Sequence, residues 1–330
     1  MRILILGGTV FLGRAVARQA LAAGHEVLCA ARGESGAPVG GARFVRVDRD
    51  EPDGLSAVEG EFDAVVDVAR HPHHVRHAVT ALAGRAGHYT LVSTGSVYAD
   101  VATPHQTAAT APLLPPDHDA DPAADPESYG RAKVACERLA AGGFGAGRTL
   151  LLRAGLIVGP EDPTGRFDYW VRRYERGGEV LAPGGPDESV QLVDVRDLAD
   201  WILTAAGRGL AGPFDGVGAP MTRAEFHAGL AAGTGTAPPL TWVTQEFLLE
   251  RGVVPWAGPR SLPLWLPLPR YAGFMSRDAG PSLAAGLRIR PLAETVRDTR
   301  NAFRDATHID ESLGLGIDEE TALLREWHAR

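Results

Sequence analysis

The sequence predicts an α/β fold, a doubly wound parallel sheet joined to a smaller, mixed C-terminal lobe. Three observations lead there. The chain opens on Ile3-Leu4-Ile5-Leu6, a continuously apolar run of the kind buried on both faces of a parallel sheet. A glycine-bounded turn, Gly7-Gly8-Thr9-Val10-Phe11-Leu12-Gly13, separates that run from a helical stretch. Short apolar strands then alternate with helices through the first half of the chain, as in a sheet covered by helices on both faces.

Taken in order, Arg14 to Ala23 is the first helix, stopped by Gly24. Glu26 to Ala30 and Phe44 to Val47 are the second and third strands, Ala64 to Val68 the fourth, and Tyr89 to Ser93 the fifth. Val75 to Ala83 is helical between the last two. Val101 to Ser128, rich in Pro, Ala and Asp, is a long ordered loop or a partly mobile flap, and loops of this length are often functional. Glu127 to Ala141 is a helix, and Thr149 to Leu152 with Leu156 to Val158 makes the sixth strand and its exit. Beyond Gly159 the periodicity weakens. Phe167 to Glu175 is helical, Gln191 to Val195 a strand and Asp197 to Ala206 a helix, and the remainder mixes helices with Pro/Trp-rich loops.

Composition narrows the function. A chain of 330 residues is long for one core. Its 45% hydrophobic and 22% charged residues are ordinary for a globular enzyme. A net charge of −8 argues against a nucleic-acid surface. Cys29 and Cys136 belong to no Cys-x-x-Cys motif, so neither a disulfide framework nor a thiolate metal site is expected. The first residues enter a strand directly, without a long apolar leader, which leads us to expect a cytoplasmic protein. No run is long enough to span a membrane; the nearest, Val253 to Met275, is broken by five prolines and by Arg260 and Arg270.

Among 33 cationic residues there is a single lysine, Lys133, four residues after Tyr129. At that spacing both side chains share one helix face. A compact ammonium stabilises a neighbouring phenolate in a way that a wide guanidinium fork does not. A lysine retained where every other cation is arginine therefore marks a position that arginine cannot fill.

The Gly7 to Gly13 turn lies between a strand and a helix, which is the setting of a dinucleotide pyrophosphate site at a helix N-terminus. Gly7 permits the tight turn and Gly13 close helix–strand packing, with Thr9, Val10, Phe11 and Leu12 between them; Val10 replaces the usual middle glycine. After the second strand the chain reads Ala30-Ala31-Arg32-Gly33. A small residue followed by Arg suits a 2′-phosphate, so NADP is expected over NAD. Asp48 and Arg49 end the third strand where an adenine contact falls, and Val68 and Ala69 end the fourth on the cofactor side.

Together these pieces resemble the extended short-chain dehydrogenase/reductase superfamily, in its NAD-dependent epimerase/dehydratase branch. The resemblance rests on the Gly7–Gly13 turn, on Val92-Ser93-Thr94-Gly95-Ser96-Val97-Tyr98, and on Tyr129-Gly130-Arg131-Ala132-Lys133 with Glu137. It extends through Arg153 to Gly159 and Val190 to Ala199. It implies a Rossmann-like cofactor domain over 1–158, with the chain returning at about 190–218, and a substrate-binding lobe over 159–189 and 219–330. It also implies Tyr129 as proton-transfer residue, Lys133 as its partner and as a holder of the nicotinamide ribose, and Thr94 as a second hydroxyl on the substrate oxygen.

The substrate side is read from departures. Nucleotide-sugar members of the family carry a diphosphate-binding Arg where this chain has Val190. Ser96, Arg166, Tyr169, Trp170, Gln191 and Trp265 are the candidate substrate residues, and the Leu262–Pro269 segment offers rigid apolar cover. The expected partner is a small, rather apolar metabolite, with a nucleotide-sugar epimerase or dehydratase using tightly held NAD as the alternative. Some relatives with a similar glycine turn bind RNA, which the Thr94/Tyr129/Lys133 set and the negative charge disfavour. A homodimer is an open alternative to a monomer. His71, His73, His74 and His77 cluster after the fourth strand, and His73 and His77 have helical metal-binding spacing. No carboxylate stands beside them in the sequence, so no metal site is expected.

Overall fold

A computed structural model of the chain describes residues 1–304 and 313–330; residues 305–312 of the expected substrate lobe lie outside the described residues. The central sheet has seven parallel strands. Six follow the expected order of appearance: β1 (Arg2–Leu6), β2 (Glu26–Ala31), β3 (Arg43–Arg46), β4 (Phe62–Asp67), β5 (Ala86–Thr94) and β6 (Thr149–Ala154). The seventh is Gly212–Gly216, and the spatial order is seventh, β6, β5, β4, β1, β2, β3. It is a Rossmann-like α/β sheet.

Alternation along β1 builds both faces. Ile3 and Ile5 pack with α1 (Phe11–Ala22) and with α5 (Val195–Gly207) in one core. Leu4 and Leu6 enter the opposite core, beneath α2 (Pro72–Leu82) and α3 (Tyr129–Phe144). All four side chains are fully buried, as an apolar strand in the middle of a covered sheet requires. A separate core lies on the C-terminal side. There α4 (Arg166–Arg176) and α6 (Arg223–Thr234) pack with the Leu262–Trp265 segment and the Ile317–His328 helix.

Two elements differ from expectation. The strand Gly212–Gly216 was not anticipated, because Gly-Pro-Phe-Asp-Gly carries no apolar run; it pairs only with β6 and so lies at the sheet edge, where a proline is tolerated. The expected strand Gln191–Val195 is instead two dipeptide pairings. Ser189–Val190 pairs with Met221–Thr222, and Val193–Asp194 with Ile157–Val158. Gln191 breaks the run by turning its amide onto the Gly218 and Arg277 carbonyls at 2.8 Å each, and Asp194 caps α5 through the Arg196 N–H at 2.8 Å.

The long 101–128 segment is tied down at several points. Leu114 donates to the Val97 carbonyl, and Ala99 to that of Pro112. On the C-terminal side, Gly273 donates to Val101, His105 to Ser276, and Asp278 to Gln106. The segment thus bridges the sheet to the 273–278 stretch.

Candidate active site

Lys133 sits on α3 with its side chain almost wholly enclosed, and its ammonium donates to the carbonyls of Ala69 at 2.6 Å and Val92 at 2.7 Å. Those carbonyls come from the ends of two neighbouring strands, β4 and β5. A point cation with three donors satisfies both and keeps one donor for the adjoining cleft, whereas a planar guanidinium is too wide for this pocket. Four residues earlier on the same helix, the half-buried Tyr129 lines that cleft, and the Arg70 guanidinium lies 5.5 Å from its ring centre. Thr94 ends β5. Its hydroxyl accepts from the Ser96 N–H at 3.2 Å and lies 3.3 Å from the Ser96 hydroxyl, which fixes both against the same space. Thr94, Ser96, Tyr129 and Lys133 all line one cleft of about 1030 Å³.

The backbone behind Lys133 is itself held. Asp67, fully buried at the end of β4, accepts from Arg49 at 2.7 Å, from the Tyr89 hydroxyl at 2.6 Å and from the Ala69 N–H at 2.8 Å. Burial, followed by the Asp67 charge, holds the Tyr89 phenol well above its ordinary range, so it stays a neutral donor. On the other flank Glu137, one turn after Lys133, takes a two-point contact from Arg153 (3.0 and 2.8 Å) and the Ser93 hydroxyl at 2.6 Å. These two networks lock α3 onto the strand ends. Arg49, expected at an adenine contact, is thus committed to Asp67, while the exposed Asp48 carboxylate accepts from the Asp50 N–H.

The glycine turn has the form a dinucleotide requires. Gly7 adopts φ +99°, and a Cβ on Gly13 would stand 2.2 Å from the Gly7 carbonyl oxygen. Gly8 is constrained too, since a Cβ there would meet the Cys29 sulfur at 2.5 Å. Val10 occupies the cap position of α1 and offers no side-chain acceptor, so the first N–H groups of the helix are left for a ligand anion. Thr9 and Leu12 are buried, whereas Phe11, Val68 and Ala69 line the cleft. Arg32 follows β2, half exposed, with Glu34 and Asp50 each 3.7 Å from its guanidinium. The residues present therefore fit a nicotinamide dinucleotide, running from the end of β2 across the turn to Lys133.

The opposite wall comes from the C-terminal half. Leu249, Pro255, Trp256, Leu266, Pro267, Arg270, Tyr271 and Phe274 line it, with Thr164 and Arg166. Trp256 meets Phe274 edge-on at 5.8 Å, and Arg166 lies 4.6 Å over the Trp256 ring. Sequence reasoning named Arg166 and the segment around Trp265 but missed Arg70, Trp256, Tyr271 and Phe274, which no local pattern distinguishes from core residues. Trp265 is fully buried in the C-terminal core. Trp170 is buried there as well, donating its indole N–H to the Pro263 carbonyl at 2.7 Å, and Tyr169 packs edge-on against it. None of these three faces the cleft: they form the floor on which its wall stands. Gln191 is likewise buried, holding Gly218 and Arg277 in place. Val190, the position of the nucleotide-sugar Arg, is fully buried in the same core.

Asp50 joins the histidine cluster from a distance. Its Oδ1 lies 3.0 Å from His73 Nε2 and 2.7 Å from His74 Nε2, supplying the carboxylate absent from the local sequence. His77 is not part of this group, because its Nδ1 is engaged by the Arg49 carbonyl at 2.9 Å.

Comparison with known proteins bears on the family and the fold. The sequence model of the NAD dependent epimerase/dehydratase family matches residues 3–214. The chain is 27% identical over 302 residues to a dTDP-6-deoxy-L-talose 4-dehydrogenase (NAD(P)(+)) of Kitasatospora kifunensis, covering 79% of this chain and 92% of that one. It is 35% identical over 163 residues to a 2'-dehydrokanamycin reductase of Streptomyces kanamyceticus, covering 48% of this chain and 43% of the relative. Among solved structures it resembles the UDP-glucose 4-epimerase of Thermus thermophilus in complex with NAD, with a TM-score of 0.64 at 20% identity over 93% of this chain and 100% of that one.

Proposed function

The chain belongs to the NAD-dependent epimerase/dehydratase family and is an NAD(P)-dependent enzyme of the short-chain dehydrogenase/reductase type; from that premise we propose that it transfers a hydride to or from the carbonyl or alcohol carbon of a small, rather apolar metabolite. The observation that carries this reading is Lys133, fixed by two strand-end carbonyls and facing the same cleft as Tyr129 and Thr94.

In the direction of reduction, the Thr94 and Tyr129 hydroxyls orient the substrate carbonyl oxygen, and Tyr129 gives it a proton as negative charge develops there. The Lys133 ammonium stabilises the resulting phenolate and grips the nicotinamide ribose. The dinucleotide, when bound, supplies or accepts the hydride. The Gly7–Gly13 turn and the open N-terminus of α1 take the pyrophosphate. Trp256, Leu266, Pro267 and Phe274 line the facing wall and would limit water over the reacting groups once substrate is bound. Arg32, which follows β2, would pair with a 2′-phosphate, and this supports reading the cofactor as NADP rather than NAD.

The test is a panel of ketones, aldehydes and the matching alcohols, followed by the absorbance of the reduced nicotinamide with NADPH and with NADH. Turnover of a mostly apolar carbonyl with NADPH supports the proposal, and a complete lack of turnover together with no binding of either dinucleotide overturns it.

One observation favours a second reading. Arg70, Arg166 and Arg270 line the cleft, and none is in an ion pair among the described residues. Such cations suit a phosphorylated substrate, as in a nucleotide-sugar epimerase or dehydratase. Stabilisation by UDP- or dTDP-sugars in a thermal-shift screen, with no response to apolar carbonyls, would select that reading.

A further inference from the structure

The histidines after β4 serve no role in the proposed reaction, yet their arrangement is that of a ligand set. His73 and His74 occupy the first turn of α2, behind Pro72 at its first position. Neighbouring residues on a helix normally diverge. Here the rings meet edge-on at 4.4 Å and both aim Nε2 at one oxygen of Asp50, a residue 23 and 24 positions upstream. The three ligand atoms lie within 4.8 Å of one another, and they form the only such group found among the described residues. Ligands of a tetrahedral zinc ion, at bond lengths of about 2.0–2.2 Å, stand about 3.3–3.6 Å apart. The observed 2.7 and 3.0 Å separations from Asp50 are close enough that small side-chain rotations suffice.

From this geometry we propose that Asp50, His73 and His74 form a binding site for a divalent transition-metal ion of the zinc class.

The surroundings support it. The site opens onto a depression of about 560 Å³, also lined by His71, His118, Asp119 and Asp121, with Arg32 and Arg76 at its margin. Three carboxylates against two guanidinium groups leave the depression negative when the imidazoles are neutral. The His71 ring centre lies 5.4 Å from that of His73 and 5.1 Å from that of His74, so a further imidazole stands beside the set. Two imidazoles and a carboxylate select zinc, cobalt or nickel over magnesium or calcium, which prefer all-oxygen sets. The frame is also fixed before binding. His77, one turn further along α2, is held by the Arg49 carbonyl, and the Asp50 N–H is held by Asp48. An ion here would clip the loop after β3 to the start of α2.

The test uses the full chain stripped with a chelator and titrated with Zn²⁺ by calorimetry, then with Co²⁺ by visible absorption. Wild type is expected to bind one equivalent saturably, with a rise in Tm. The exposed-carboxylate variant Asp50→Asn should weaken binding about tenfold or more, and the pair His73→Gln/His74→Gln should abolish it. Metal-free circular dichroism checks that each variant is folded, and Asp50→Asn alone decides if the double variant is not. Absence of saturable binding to wild type, or binding unchanged in Asp50→Asn, would overturn the proposal.

Discussion

On the sheet side of the cleft, the candidate reacting groups are held by the backbone or by buried charge. Lys133 rests on two carbonyls, Thr94 on the Ser96 N–H, and α3 is locked through Glu137 and Arg153. On the C-terminal side the groups facing the same space rest on one another. Trp256 leans on Phe274, Arg166 on Trp256, and Arg270 lies 5.1 Å over Tyr271. Trp256 itself has φ +76°, a conformation that costs a non-glycine residue about 1–3 kcal/mol and persists only where the surroundings impose it. The contrast separates two tasks. Proton and hydride transfer tolerate little displacement, and the residues proposed for them stand at the end of β5 (Thr94) or on α3, the helix tied to the strand ends (Tyr129 and Lys133). On the proposed function, substrate choice would rest on shape and apolar contact, which a stack of side chains adjusts without disturbing the chemistry.

The largest effect should come from the sheet wall. Tyr129→Phe keeps the ring and removes the proton donor. A loss of about 10²–10⁴-fold in turnover is expected, with dinucleotide affinity nearly unchanged. Normal turnover would transfer the acid role to another group and remove the distinction between the walls.

The C-terminal wall should be the more acid-sensitive of the two, because its floor depends on a neutral histidine. His227 is buried beneath Trp170 and Trp242, with its Nδ1 2.8 Å from the Tyr174 hydroxyl. Burial, then Arg223, lowers it from 6.5 to about 3. Between those values the unfolded chain binds the extra proton and the folded chain does not, so stability is full above about 6.5 and falls as pH drops toward about 3. We expect a loss on the order of a few kcal/mol across that window, with a shallower slope in His227→Gln. Chemical denaturation at several pH values measures it, and identical slopes in the two proteins would show that His227 is not the cause.

Trp256→Ala should act on substrate choice alone, raising KM about tenfold or more while kcat stays near wild type. An equal fall in kcat would mean that this wall takes part in the chemistry. A smaller and more selective effect is expected at the far end of the site. Arg32→Ala should weaken NADPH by about tenfold, the value of one charge-assisted contact, and leave NADH nearly unaffected. Equal losses for both would make Arg32 a solvated loop charge balanced by Glu34 and Asp50.

The same contrast explains what the sequence reveals. Tyr129 and Lys133 are legible because one helix turn brings them together, and Gly7 and Gly13 because one strand–turn–helix does so. Trp256, Tyr271 and Phe274 are not, since their place depends on how a Pro-rich segment folds back onto the cleft. Tyr169, Trp170 and Trp265 look like cleft residues for the same reason. An aromatic stripe has the same spacing whether it faces a ligand or a core, and here it packs into the C-terminal core. The strand Gly212–Gly216 escapes notice because an edge strand needs little apolar content, and Asp50 joins the histidines only through the tertiary fold.

The most direct test of the central claim needs no substrate. Wild-type protein and Lys133→Arg are titrated with NADPH, following the fluorescence of the reduced nicotinamide. If Lys133 stands where a ribose must be gripped and only a compact cation fits between the Ala69 and Val92 carbonyls, wild type binds one equivalent and Lys133→Arg binds at least about tenfold more weakly while remaining folded. Equal affinity in the two proteins would contradict the account.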